Sequence, residues 1–214
     1  MLESIKAAIF DLDGTLVNSL WVWDSIDDDY LKKHNCKAPK NLHSEICHLS
    51  FVDTAKYFKE NFNITDSVEE IMAEWNDMAL DAYLNKVFLR KGAKEYLELL
   101  KSKGIKIGLA TSNSMELLTA TLKNNNIYEY FDSITTTSEV DNGKDHPDVY
   151  LLAAKKLNVD PVHCIVFEDI LHAIRGAKKA NMTVVAINED FSITDKDLIK
   201  QASDYFIDGY SELL

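Results

Sequence analysis

Basic residues are scarce in this chain: 23 lysines and arginines stand against 35 aspartates and glutamates, a formal net charge of −12 over 214 residues. That deficit excludes nucleic acid and anionic membrane as default partners, because both need a basic surface. Cysteine is also sparse, with Cys36, Cys47 and Cys164 and no Cys-x-x-Cys. An odd number without that spacing indicates neither a disulfide framework nor a thiolate zinc site, and fits reduced thiols in a cytoplasmic protein. His34, His43 and His48 lack metal-ligand spacing with one another and read as surface residues. No apolar run is long enough to span a bilayer. Acidic Glu3 and an early strand stand where a signal peptide would lie. There is no internal repeat and no low-complexity segment, and the polar tail from about 189 to 214 is still patterned.

What is present is an ordinary globular composition, 46 % hydrophobic and 27 % charged. A chain of this length holds one large domain, or one domain and a small insert. The second half alternates strand and helix. Residues 91–103 carry Ala93, Tyr96, Leu97 and Leu100 at helical spacing, and Gly104 ends that helix. Ile105–Ala110, His163–Phe167 and Thr183–Ile187 read as strands, with a last short strand near Tyr205-Phe206-Ile207. Residues 114–125, 146–157 and 170–180 read as helices, with Pro147 in a first turn and Gly176, Ala177 and Ala180 small enough to pack closely on a sheet. Repeated units of this length imply a parallel sheet with helices on both faces.

Residues 19–86 break the alternation and hold no convincing strand. Val68, Ile71, Met72, Trp75, Met78, Ala79, Ala82 and Tyr83 form one helical stripe; Leu20, Trp23, Ile26, Asp27, Tyr30 and Leu31 form a second; Phe51, Ala55, Phe58 and Phe62 suggest a third. Trp21 and Trp23 fall on nearly opposite sides of their helix, so one of them is free to line a pocket mouth. The expected architecture is α/β: a Rossmann-like, three-layer core with a parallel sheet from residues 1–18 and 87–214, and a small all-α cap from 19–86.

The residues with chemical potential stand at predicted strand ends. The apolar run Ile5–Phe10 reads as a buried strand and leads directly into Asp11-Leu12-Asp13-Gly14-Thr15. In open α/β sheets ligands bind outside the carboxyl ends of the strands. A carboxylate there is a competent nucleophile, and Asp11 is the candidate. Side chains two apart in an extended segment point the same way, so Asp13 can serve as acid and then base beside it. Gly14 lets the backbone turn sharply and approach a phosphate. Thr111-Ser112-Asn113 follows another strand, where a hydroxyl and a helix N-terminus can bind phosphoryl oxygens. Adjacent Glu168 and Asp169 end a third strand and call for compensation, most simply by a hard cation.

These segments, in this order, resemble the haloacid dehalogenase-like superfamily over essentially the whole chain, the core more strongly than the cap. Asp11-Leu12-Asp13-Gly14-Thr15 matches the first motif, Thr111 the lead hydroxyl of the second, and Gly143-Lys144-Asp145-His146-Pro147-Asp148 the third; Glu168-Asp169 matches the fourth. The resemblance implies an aspartyl-phosphate on Asp11. It also implies Mg²⁺ held by the Asp11 carboxylate, the Asp13 main-chain carbonyl, Asp169 directly and Glu168 through water. Lys144 would balance the charge. So acidic a chain repels a phosphorylated substrate unless its site is locally positive, which a metal and a lysine provide.

The chain departs from the family pattern at four places. Asp145 replaces a proline and Ile170 a common serine. Trp23 stands where the phosphoglucomutase-like branch has a histidine, and His48-Leu49-Ser50-Phe51 offers no counterpart to that branch's cap arginine. A tryptophan cannot shuttle a proton at neutral pH. The expectation is therefore a Mg²⁺-dependent phosphatase acting on a small phosphomonoester metabolite. The alternatives are a β-phosphoglucomutase-type mutase, a non-catalytic binding protein on the same fold, and a dehalogenase, for which Asp13 is not needed. The oligomeric state is left open, a monomer being compatible with the sequence.

Overall fold

The computed structural model describes residues 2–46, 51–188 and 196–214, apart from the side chains of His43 and Ser44. Cys47, the His48-Leu49-Ser50 segment and residues 189–195 of the tail lie outside the described residues. Two compact units divide the chain. One comprises Met1–Ser19 and Val87–Leu214, the other Leu20–Lys86.

The larger unit is built on a sheet of six parallel strands: β1 (Ala7–Phe10), β2 (Lys106–Thr111), β3 (Ser133–Thr136), β4 (Cys164–Glu168), β5 (Thr183–Ile187) and β6 (Tyr205–Ile207). Their order across the sheet is β3-β2-β1-β4-β5-β6. That is the doubly wound Rossmann order, with β1 at its centre. All four residues of β1 are buried, as expected of a strand covered on both faces. Successive side chains point to opposite faces, and β1 shows both layers. Ala7 and Ile9 join a core cluster with Val149, Tyr150 and Ala153 of α7 (Asp148–Leu157) and with Ile174 and Ala177 of α8 (Leu171–Lys179). Phe10 stacks on Phe167 at 4.5 Å between centroids and meets Tyr96 of α5 (Ala93–Ser102) and Tyr210. The three-layer core is thus observed.

Local signals explain the element ends. Helix α5 buries Ala93, Tyr96, Leu97 and Leu100 and stops where Gly104 turns left-handed, φ 70°. Helix α6 (Met115–Asn124) starts at Ser114, whose hydroxyl accepts from the Leu117 N–H. Among the described α-helices and strands, three lay beyond the sequence reading: the edge strand β3, α9 (Lys196–Ala202) and, in the smaller unit, α2 (Leu42–Ile46).

The smaller unit contains α1 (Trp21–Lys33), α2 (Leu42–Ile46), α3 (Phe51–Asn61) and α4 (Val68–Asn85). Helix α4 opens with a capping box between Ser67 and Glu70. Its core is aromatic: Trp75 packs at 4.8 Å from Phe58, 5.6 Å from Phe51 and 5.7 Å from Tyr30. The phase of α1 differs from expectation by one position. Val22, Ile26, Tyr30 and Leu31 are buried, while Trp23 is 38 % exposed and meets Phe51 edge-on. Trp21 lines a cavity of about 380 Å³ within this unit, together with Asp29, Glu74, Asp77, Asp81 and Lys86. Among the described residues no helix is long and apolar enough to cross a membrane.

Candidate active site

Strand register brings the motif residues to one level. Phe10 pairs with Phe167 on one side and with Leu109 on the other. Asp11 therefore emerges beside Glu168, and its N–H donates to the Phe167 carbonyl at 3.0 Å. Thr111 ends β2 one residue further along, in the strand next to β1. This is the crevice at the carboxyl ends of β1 and β4, where the strand order reverses.

Three acids meet there. Asp11, Glu168 and Asp169 are all buried, and each offers an oxygen within 4.8 Å of the others. Lys144, itself buried, reaches this group from the loop before α7. Its ammonium donates to Asp11 Oδ1 and, at 2.6 Å, to Glu168 Oε1. Tyr150 OH donates to the same Oε1 at 2.8 Å. Glu168 Oε2 is buried with no hydrogen-bond partner among the described residues. Asp169 Oδ1 accepts from the Thr15 hydroxyl at 3.1 Å.

Burial dominates the electrostatics. It pushes the Asp11 carboxyl well above the usual carboxylate range, against the opposing pull of Lys144. Burial, and then the charge of Glu168, raise Asp169 to about 7. Burial alone would lower the Lys144 ammonium, but the charges of Asp11 and Glu168 outweigh it and hold it above its ordinary value. One lysine faces three buried carboxyl groups, so the group is short of positive charge. An orphaned carboxylate oxygen among clustered hard oxygen donors fits a divalent cation such as Mg²⁺ or Ca²⁺.

Asp13 is held apart from the trio. Its Oδ1 accepts from the Ser19 hydroxyl at 2.6 Å and its Oδ2 from Asn113 Nδ2 at 2.8 Å. Asn113 also donates its N–H to the Thr111 hydroxyl oxygen at 3.0 Å, which leaves the hydroxyl proton of Thr111 free to be directed elsewhere. Ser112 stands between these two residues. Gly14 adopts φ 80°, in the left-handed region that favours glycine, and its carbonyl accepts from Arg90 Nη1 at 2.7 Å. Arg90 also donates to the Asn188 carbonyl at 2.7 Å, tying the turn to the end of β5.

Four supporting residues were not assigned roles from sequence: Thr15, Ser19, Arg90 and Tyr150. Gly176 has a different role from the expected one. A Cβ on it would lie 1.9 Å from the Lys144 carbonyl oxygen, so its small size serves the Lys144 loop, not the sheet. Asp145, at the family's proline position, pairs with His146 at 3.1 Å and not with Lys144. Ile170 stands just before α8, offers no side-chain cap and is 36 % exposed.

Comparison with known proteins identifies the family. Residues 8–187 match the model of the haloacid dehalogenase-like hydrolases. A phosphorylated carbohydrates phosphatase of Thermotoga maritima is 29 % identical over 178 residues, covering 83 % of this chain and 82 % of that protein. The bifunctional riboflavin kinase/FMN phosphatase of Arabidopsis thaliana is 30 % identical over 187 residues, 85 % of this chain; the chain spans about half of that relative, 48 %. A Thermotoga maritima structure, provisionally assigned as a beta-phosphoglucomutase, superposes with a TM-score of 0.87 at 26 % identity, covering 98 % of this chain and 97 % of that one. The matched model spans most of the chain and takes in Asp11, Thr111, Lys144 and Asp169: the protein belongs to the haloacid dehalogenase-like hydrolase family.

Proposed function

We propose that this protein is a Mg²⁺-dependent phosphatase that hydrolyses a small phosphomonoester metabolite through an aspartyl-phosphate on Asp11. The observation that carries the reading is the buried Lys144 bridging Asp11 and Glu168 beside Asp169. A nucleophilic carboxylate must be ionised, and burial works against this; the Lys144 charge works for it. Mg²⁺ would be held by Asp11, Glu168, Asp169 and the Asp13 main chain, and would supply positive charge to the phosphoryl oxygens when bound.

In the first half-reaction an Asp11 oxygen attacks phosphorus in line and the P–O ester bond breaks. Asp13 gives its proton to the departing alkoxide. In the second, water attacks the aspartyl-phosphate, Asp13 takes the water's proton, and the Asp11–phosphorus bond breaks. Ser19 and Asn113 orient Asp13 for both transfers. Gly14, Thr111, Ser112 and Asn113 bind phosphoryl oxygens, and Lys144 neutralises the charge shared by Asp11 and the phosphate. Residues 20–86, inserted in the chain directly after this loop, are assigned as the cap that selects substrate.

The names of the curated relatives support hydrolysis over mutase chemistry. So does Trp23, whose indole can donate a hydrogen bond but not relay a proton. Free Cys36 and Cys164 are consistent with a reducing, cytoplasmic location. The test is a phosphate-release screen over sugar phosphates, nucleotides and glycolytic intermediates, with and without Mg²⁺. Metal-dependent release from one class is expected. Conversion of β-glucose 1-phosphate into glucose 6-phosphate with little free phosphate would replace the phosphatase with a mutase. A flat response to Mg²⁺ over the whole panel would replace it with a binding protein.

A further inference from the structure

Tyr150 has no part in the chemistry above, yet its hydroxyl reaches the middle of the acidic group. The ring is fully buried on α7 and OH donates to Glu168 Oε1 at 2.8 Å. That oxygen already accepts from Lys144 at 2.6 Å, while Oε2 of the same carboxylate, equally buried, accepts from nothing among the described residues. The asymmetry runs against ordinary satisfaction. A buried carboxylate oxygen left without a donor loses its hydration with nothing in return, and two donors on one oxygen with none on the other is the less economical division. Burial of a tyrosine does not require such a bond, since the buried hydroxyl of Tyr96 has no partner.

The terminal torsion of a glutamate is broad and nearly two-fold, so either oxygen could meet Lys144. Lysine is a point charge on a flexible stem and does not choose between them. A phenol on a packed ring holds its oxygen at one fixed point, here 2.8 Å from Oε1, and has a single proton to donate from it. We infer that Tyr150 is a positioning residue for a divalent cation at Asp11, Glu168 and Asp169: it saturates Oε1 and thereby reserves Oε2 for the cation. The inference rests on the metal-dependent reading of this site.

The test uses the full chain and Mn²⁺ as the probe, with binding followed by electron paramagnetic resonance. Tyr150→Phe keeps the ring and removes only the oxygen. It should raise the Mn²⁺ dissociation constant about tenfold, the lower end of what partners behind a metal ligand contribute. The KM for a phosphoester at saturating metal should stay within about twofold of wild type, because the hydroxyl touches no substrate group. Tyr96→Phe, which removes an unpartnered buried hydroxyl from the layer on the other face of the sheet, should bind Mn²⁺ like wild type. If Tyr150→Phe binds Mn²⁺ as tightly as wild type, Tyr150 does not position Glu168, and the reading of the site itself survives. If wild type binds no Mn²⁺, the metal-dependent reading fails and the inference fails with it. An equal loss in Tyr96→Phe, or a Tyr150→Phe protein that does not fold, would assign the hydroxyl to core packing and overturn the inference.

Discussion

Replacing Gly176 by alanine adds one methyl group to α8, at a residue that takes no direct part in the reaction. The new carbon would lie 1.9 Å from the Lys144 carbonyl oxygen, 2.9 Å from that of His146 and 3.0 Å from the Lys144 carbonyl carbon. All three are backbone atoms, so no side chain can swing away. To reach ordinary contact at 3.4 Å, the Lys144 backbone must retreat by about 1.5 Å, or α8 must shift by as much. The Lys144 ammonium sits 2.6 Å from Glu168, and a displacement of that size takes it out of hydrogen-bond range. Misplacement by about 1 Å can lower a rate about 10²-fold, while overpacking a core site costs about 1–3 kcal/mol. Gly176→Ala should therefore lower kcat about 10²-fold in a protein that still folds. Phosphate release on the best substrate and thermal melting measure the two effects together. A variant with kcat within about threefold of wild type would show that the loop position is not what sets the Lys144 geometry.

Three further outcomes follow from the packing and the charges. Lys144→Met should lower kcat by about 10²–10³, the effect of losing one preorganised charge-stabilising group, and a loss under about threefold would place this lysine outside the chemistry. Trp75→Ala should destabilise the helical unit by about 3–5 kcal/mol in urea unfolding, because a nearly inaccessible indole among Tyr30, Phe51 and Phe58 leaves a cavity; a loss below about 1 kcal/mol would contradict that packing. Asp27 on α1 is raised to about 7, by burial first and then by Asp24 and Asp28. Its folded value lies above the unfolded one, so the stability tied to its protonated form is present below about pH 4 and lost as pH rises through 7. Asp27→Asn should accordingly raise Tm at pH 8, by about 2–4 °C for about 1 kcal/mol, and leave it unchanged at pH 4; an equal gain at both pH values would rule out the ionisation as its cause.

The central strands were legible in sequence because a strand buried on both faces is a continuous apolar run, as Ala7–Phe10 and Cys164–Phe167 are. Strand β3 was not, since Ser133-Ile134-Thr135-Thr136 is short, polar and at the sheet edge, and resembles a turn. Trp23 was assigned to the buried stripe of α1 because a large aromatic outweighs its neighbour in a periodicity count; the helix buries the smaller Val22. The acidic and lysine residues of the site stood out because charge at the end of an apolar strand is anomalous by itself. Their supports did not. Tyr150 fits the apolar stripe of α7 whether or not its hydroxyl is used, and Ser19 is an ordinary polar residue before a helix. Gly176 was recognisable as a close-packing position, but only the fold shows that its neighbour is the Lys144 carbonyl.

On the mechanism proposed, the phosphoryl group passes through Asp11. A single turnover with Mg²⁺ and the best substrate, quenched in acid, digested and read by mass spectrometry, tests it directly. One phosphoryl group should appear transiently on the peptide containing Asp11, and none should appear in Asp11→Asn. Turnover with that peptide unmodified at every time point, or an Asp11→Asn protein that still releases phosphate at the wild-type rate, would contradict the mechanism.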